Sequence, residues 1–365
     1  MADGSKIEWT DATVNAINGC TVVSPGCTNC YAMRLAGTRM KSHPSRIGLT
    51  FPTKAGPVWN GEVRLNETAL LQPLRWSKPR RIFWNAHGDM FHPAVPDEWV
   101  DRCFAVMALT PQHIHQVLTK RPDRMRSYFT TPLNSLFHSR LSLMQDAAYR
   151  IMATISGAWN EERAMKARDA VASALKWTDA RTNVGFRNVW LGVSVEDQRR
   201  ANERIPDLMA TPAAVRWLSC EPLLDFISLE EAWHGESALN SECWGECGWC
   251  KAGLPPLWNC QNEWKQYEPG APQRSGVDWV VVGGESGPNA RPMELEAARS
   301  LRDQCADADV PFFFKQWGAH LPCGQMQANG RVWTNGSEAT LRTTKAFAGR
   351  YLDGHLHDGM PRIAA

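Results

Sequence analysis

The sequence has no uninterrupted apolar run approaching the roughly 18 residues that a membrane-spanning helix needs. Its first twenty residues lack the charged-then-apolar pattern of a secretory leader, so the expected compartment is the cytoplasm and no membrane partner is expected. Neither sign of charge dominates. The 40 Lys and Arg stand against 38 Asp and Glu, and a net charge of +2 excludes a bulk field strong enough to diagnose nucleic-acid or membrane binding on its own. Internal repeats and low-complexity tracts are also missing. In a reducing compartment the eleven cysteines argue against a disulfide framework, and the clustered ones are better explained by metal.

What is present is enough for a sizeable core. At 365 residues and 43% apolar content the chain can build one large α/β domain with insertions, or two domains. Seven short β-rich runs recur, at Val14 to Ile17, Arg81 to Asn85, Ile114 to Leu118, Val189 to Val193, Val215 to Ser219, Trp279 to Val282 and Pro311 to Phe314. Helical spacing of apolar residues fits between them, as in Pro96 to Leu109 and Glu294 to Ala308. This alternation predicts parallel strands, in a doubly wound sheet or in a full or partial (β/α) barrel.

The polar residues favour the barrel. Nearly every run ends in a reactive-looking cluster: Gly19-Cys20, His87-Gly88-Asp89, Thr119-Lys120-Arg121, Ser194-Val195-Glu196, Cys220-Glu221, Gly283-Gly284-Glu285-Ser286 and Lys315-Gln316. A barrel gathers such strand ends at one face, where these folds carry their chemistry. Taken singly, each cluster is equally explained by turns and helix caps. Two segments interrupt the rhythm, and the expected organisation is a first barrel half at 1–129, a helical insertion at 130–187, barrel again at 188–232, a Cys- and Trp-rich insertion at 233–276, and the barrel end with a C-terminal extension at 277–365. No strand is expected within 130–182.

The first cysteine group, GCTVVSPGCTNCYA, spaces Cys20, Cys27 and Cys30 as C-x6-C-x2-C between the first strand and a helix starting near Tyr31. Three thiolates can hold three irons of a four-iron cluster and leave the fourth open to a ligand. The competing reading is a zinc knuckle completed by a distant residue, since C-x2-C is also a zinc spacing. The second group, Cys243, Cys247, Cys250 and Cys260, carries four thiols in eighteen residues, which would close a site completely. A structural zinc or an auxiliary iron–sulfur cluster fits it, and spare loop cysteines remain the plain alternative.

At these residues the chain resembles the phage-associated three-cysteine-motif proteins described as radical-SAM-like. The resemblance is carried by NGCTVVSPGCTNCYAMRLA, PLRWSKPRRIFWNAHGDMFH, HQVLTKRPDRM, NVWLGVSVEDQ, RWLSCEPLL, DWVVVGGESGPNARPM and VPFFFKQWG, which span most of the chain outside the two insertions. The resemblance implies a partial (β/α)6 radical-SAM barrel with a [4Fe-4S] cluster on Cys20, Cys27 and Cys30 and S-adenosylmethionine beside it. By position, Gly88 and Asp89 would meet the methionine amino group and Ser194 and Glu196 the ribose, with Ser286 a further cofactor contact. The C-x6-C loop replaces the commoner C-x3-C, and Asn29 stands where an aromatic often precedes the third cysteine.

The implied chemistry is generation of a 5′-deoxyadenosyl radical with an external electron donor. Lys120, Arg121, Glu221, Glu285 and Lys315 are the candidates for gripping substrate or supplying a proton, or else they form ion pairs at the rim. The barrel is also similar to that of the lyase that repairs spore photoproduct in DNA. Together with the phage association this implies rearrangement of a modified thymine in phage DNA, in the host cytoplasm. The basic runs LTKRPDRMRS and SKPRR and the seventeen Trp are compatible with that partner. The alternatives are a radical-SAM enzyme acting on a peptide or small molecule, a zinc-dependent nucleic-acid-binding module, and a phage structural or interaction protein.

Overall fold

The computed structural model describes residues 4–131, 133, 139–155, 159–179, 183–232, 237–239, 276–334 and 339–361. Six of the seven expected strands form where the runs lie, and the first is displaced toward the N-terminus: β1 (Ala12–Val14), β2 (Arg81–Trp84), β3 (Ile114–Thr119), β4 (Val189–Ser194), β5 (Val215–Cys220), β6 (Trp279–Gly283) and β7 (Phe312–Gln316). They make one sheet in the order β1 to β7. The chain thus folds as mixed α/β with its main sheet in chain order. A doubly wound sheet reverses its strand order at a switch point and a barrel does not, so this order is the one compatible with a partial barrel. Every residue of β4, β5 and β6 is buried, which is why these strands read as continuous apolar runs and not as alternating ones.

The chain divides into two compact units, 1–23 with 30–191 and 211–214, and 24–29 with 192–210 and 215–365. In the first, β1 pairs parallel with β2 (Ala12 opposite Ile82) and β2 with β3 (Arg81 opposite Ile114). The helix α1 (Tyr31–Gly37) begins where the spacing places it, and α2 (Asp97–Ala108) follows Pro96 with Asp97 and Glu98 in its first turn, where carboxylates complement the helix dipole. The helix α3 (Pro122–Thr130) follows β3, and residues 130–187 supply α4 (Arg140–Thr154) and α5 (Glu161–Ser173). Arg140 ties α4 to α2 through Asp97 at 2.9 Å and Asp101 at 3.3 Å, and its guanidinium lies 4.1 Å over the Tyr128 ring.

Two differences from expectation concern strands. The first ends at Val14, because Ile17–Asn18 leaves the sheet to pair antiparallel with Arg64–Leu65. A hairpin also forms, Leu175–Asp179 with Asn183–Phe186, where no strand is expected up to position 182. Its two arms are too short for their alternation to stand out beside the Ala-rich helical pattern.

In the second unit β5 pairs parallel with β6 (Trp217 opposite Trp279) and β6 with β7 (Val280 opposite Phe312). The helix α6 (Gln198–Met209) starts at Asp197, whose carboxylate accepts from the Arg200 N–H at 2.9 Å, and α7 (Leu295–Asp307) buries Ala297, Ala298, Leu301 and Cys305. Among the described residues no helix is long and apolar enough to cross a membrane.

Candidate functional site

The segment after β1 is set by two glycines. Gly19 has φ +95°, and a Cβ there would stand 2.0 Å from the Glu62 carbonyl oxygen. At Gly88 a Cβ would come within 2.5 Å of the Ile17 carbonyl oxygen, and the two glycines form a parallel bridge. The structure therefore uses Gly88 for close backbone approach.

Beyond them, in the first unit, Asp89 receives four donors: the Phe91 N–H at 2.9 Å, the Thr119 hydroxyl at 2.7 Å, the Lys120 N–H at 3.1 Å and the Arg121 guanidinium at 2.8 Å. Arg121 is so held that it also reaches the Thr21 carbonyl at 3.2 Å, the Thr21 hydroxyl at 2.7 Å and the Cys20 Sγ at 3.5 Å. Burial, with the Asp89 charge next, pushes the Cys20 thiol up to about 12 against the pull of Arg121. His92 completes the group, its Nε2 3.1 Å from the Thr21 hydroxyl and its Nδ1 accepting from the Ala94 N–H at 3.2 Å. Burial, followed by the Arg121 charge, lowers its pKa.

In the second unit, the stretch carrying Cys27 is clasped by two carboxylates. The single turn Pro25–Cys27 presents the Gly26 N–H to Glu196 Oε1 at 3.2 Å, while Glu196 Oε2 pairs with Arg204 at 2.8 Å. Arg204 also donates to the Ser194 carbonyl at 2.7 Å, and Glu196 is fully buried. Two residues along, Asn29 Nδ2 donates to Glu285 Oε2 at 2.9 Å and to the Asn289 carbonyl at 2.8 Å. Arg291 bridges the same parts, donating to Glu285 Oε1 at 2.6 Å and to the Pro25 carbonyl at 3.0 Å. Burial alone would raise the Glu285 carboxyl, but the hydrogen bonds from Arg291 and Asn29 outweigh it and hold it below its ordinary value.

The remaining candidates fall nearby in the chain's strand ends. Lys315 Nζ lies 2.8 Å from Glu221 Oε1 with both side chains mostly buried, and Ser286 exchanges a hydrogen bond with Gln316. Cys20, Cys27 and Cys30 are in the thiol form, outside any disulfide, and partly exposed, whereas Cys103, Cys220 and Cys305 are buried core residues. Among the described residues no three His, Cys, Asp or Glu side chains converge as a metal site. Cys243, Cys247, Cys250 and Cys260 lie outside the described residues.

Composition and spacing missed Arg204 and Arg291, the counter-ions of Glu196 and Glu285. The available signal was their distance along the chain: Arg204 follows Glu196 by eight residues at the second turn of α6, and Arg291 follows Glu285 by six. Sequence reading also missed the linkage of Thr21 and His92 to Arg121. No curated protein and no solved structure matches the chain. Over residues 4–361 the sequence matches the family described as "Protein of unknown function (DUF5131)", and the chain belongs to that family.

Proposed function

We propose that the chain is a radical S-adenosylmethionine enzyme of the partial (β/α)6 type, with Cys20, Cys27 and Cys30 holding a [4Fe-4S] cluster. The observation that carries this reading is the bracing of one short segment that bears three cysteines outside any disulfide. Cys20 is met by Arg121, and the stretch around Cys27 is fixed by Glu196, Glu285 and Arg291 through main-chain and Asn29 contacts. A segment so restrained, following the first strand of a chain-order sheet, suits ligands that must return to one geometry. The thiols would draw together on binding, as ligand loops do when metal uptake is coupled to folding. When bound, the cluster would supply one electron to S-adenosylmethionine, whose carbon–sulfur bond breaks to give methionine and a 5′-deoxyadenosyl radical.

In this reading Asp89 orients Arg121, and Glu196 and Glu285 hold the cysteine segment; the Lys315–Glu221 pair in the second unit and Lys120 in the first are each proposed as groups that grip substrate or move a proton. Gly88, Ser194 and Ser286 are the backbone and hydroxyl groups proposed along the cofactor. The proposed substrate is a modified thymine in phage DNA, rearranged after hydrogen abstraction; this rests on the resemblance to the DNA-repairing lyase. The proposed compartment is the cytoplasm, with an external electron donor.

The test is purification without oxygen, reconstitution, and assay of iron, sulfide and zinc, followed by dithionite and S-adenosylmethionine. Formation of 5′-deoxyadenosine that is lost in Cys27→Ala is the expected result. Zinc in place of iron, with no cleavage of S-adenosylmethionine, would overturn it in favour of a zinc-binding module.

A further inference from the structure

We propose that residues 31–54 form a binding surface for an unpaired nucleic-acid strand, with Arg34, Arg39, Lys41 and Lys54 on the phosphates and Tyr31 and Phe51 under the bases. The proposal deepens the DNA reading above and rests on it only for the choice of substrate.

The first observation is charge. From position 12 to position 61 the chain contains no Asp or Glu, but it contains Arg34, Arg39, Lys41, Arg46 and Lys54. This segment carries +5 while the remainder carries −3, so the near-neutral total conceals a sharply basic region. Arg34, Arg39, Lys41 and Lys54 are exposed. Among the described residues no carboxylate lies within ion-pair distance of any of the five cations.

The second observation is that the segment is a built platform. The helix α1 packs on the hairpin Thr50–Thr53 and Gly56–Trp59 over a small core of Ala32, Met33, Ala36, Leu49 and Trp59. The fit is close, since a Cβ on Gly37 would meet Pro57 at 2.0 Å. The intervening chain is a series of turns, closed by Met40 N–H to the Leu35 carbonyl at 3.0 Å and Arg46 N–H to the His43 carbonyl at 2.8 Å. Cations on such a platform keep their spacing without lost chain entropy on binding.

The third observation is aromatic. Tyr31 is 57% exposed and Phe51 48%, unusual values for rings in a chain that buries most of its aromatics. Tyr31 is fixed by its hydroxyl, which donates to the Ala86 carbonyl at 2.9 Å, and by edge contact with His87 at 5.9 Å. Arg34 sits one turn along the same helix face. Beneath them Arg46, only 4% exposed, donates to His87 Nδ1 at 2.6 Å and to the Ser45 hydroxyl at 2.8 Å. A buried guanidinium with neutral partners leaves its charge uncancelled and adds to the positive potential of the surface. Rings interleaved with cations are the means by which proteins hold unpaired strands, whose base faces are free to stack, whereas in a duplex those faces are stacked on one another.

The test uses the full chain and a fluorescein-labelled 20-nucleotide oligo(dT), with the matching dA·dT duplex, followed by anisotropy across a series of KCl concentrations. The expected result is tighter binding of the single strand, with log K falling against log salt at a slope of about −3, the value for four phosphate contacts. R34E/R39E/K41E is expected to weaken binding at least roughly tenfold and to flatten that slope, and the neutral R34Q/R39Q/K41Q to do so in part. Tyr31→Ala is expected to weaken binding about tenfold with the slope unchanged. Equal binding by parent and charge-reversed protein of unchanged melting temperature, or no preference for the single strand, would overturn the proposal. The same titration on C20A/C27A/C30A separates the two readings. Strand binding without cleavage of S-adenosylmethionine by the parent would sink the radical reading alone, and cleavage without strand binding would sink this surface alone.

Discussion

Gly26 and Glu196, 170 residues apart in sequence, share one hydrogen bond, from the Gly26 amide to Oε1 at 3.2 Å. A Cβ on Gly26 would stand 3.0 Å from the Glu196 carboxyl carbon, so the contact is as close as glycine permits. Glu196 is fully buried and its other oxygen neutralises Arg204, which is itself 5% exposed.

Removing that carboxylate leaves a buried guanidinium unpaired. Glu196→Ala is expected to cost roughly 3–5 kcal/mol of stability, and Glu196→Gln less, because the amide oxygen still accepts from Gly26. Urea denaturation of the two variants checks the order. If the segment carries metal, iron per chain after reconstitution should fall further in Glu196→Ala than in Glu196→Gln.

Arg121 makes four directed contacts from one planar fork, to Asp89, both oxygens of Thr21 and Cys20. A lysine offers a single point charge and cannot reproduce them, so Arg121→Lys is expected to destabilise by roughly 1–3 kcal/mol. The Asp89 pairing predicts non-additivity: a cycle of Arg121→Met and Asp89→Asn should return a coupling energy of about 1–3 kcal/mol. Additive losses would show that the pair does not act as a unit.

The same residues mark how much was legible in the sequence. The sheet strands could be read because they are buried on both faces, and such strands are written as Val-, Ile-, Leu- and Phe-rich runs bounded by turns. The ends of the later six could be read for the same reason, since polarity returns where burial stops, but not that of the first, where Ile17–Asn18 stays buried while leaving the sheet. The partnerships were not legible. Cys20 and Arg121 meet because β1 and β3 flank β2, a consequence of sheet order that no local pattern encodes. From their strand-end positions Glu196 reads as a ribose contact and Glu285 as a group for substrate or a proton, and neither pattern names the partners their oxygens meet, Gly26 and Arg204 for the one and Asn29 and Arg291 for the other. The Leu175–Phe186 hairpin was hidden by its helical surroundings.

Arg291 joins the Pro25 carbonyl to Glu285 while remaining partly exposed. The Glu285 carboxylate of this pair is buried and in Arg291→Met keeps only the Asn29 amide and the main-chain N–H of residue 291, so the variant is expected to cost roughly 1–3 kcal/mol. A local effect should accompany that loss. Freed from Arg291, the Pro25–Cys27 turn opens more often, and the rate of Cys27 modification by a thiol reagent in native protein should rise severalfold. An unchanged rate would mean that Glu196 and Asn29 suffice to hold the turn.

His115 is wholly buried in the first unit in a chain of hydrogen bonds, accepting from Trp84 Nε1 at 2.9 Å through Nδ1 and lying 3.0 Å from the Thr110 hydroxyl through Nε2. The Thr110 hydroxyl donates onward to the Val106 carbonyl at 2.7 Å, so the ring is neutral with its proton on Nε2. Burial, then the neighbouring His113, lowers its pKa to about 3. Burial, then the Arg46 charge, lowers His87 to about 4. In the unfolded chain these rings take up a proton near pH 6.5, while in the folded protein they remain neutral until far lower pH. The unfolded state therefore binds more protons throughout that interval, and stability that is fully present above pH 6.5 is lost as pH falls toward 3. Each such ring contributes a slope of about 1.4 kcal/mol per pH unit within its own window. Urea midpoints measured from pH 7 to pH 4 should fall steadily in the parent protein, and His115→Gln should be less stable at pH 7 but lose stability less steeply below it. Parallel pH profiles for the two proteins would show that His115 is charged in the folded state and that its burial does not set the acid limit of this fold.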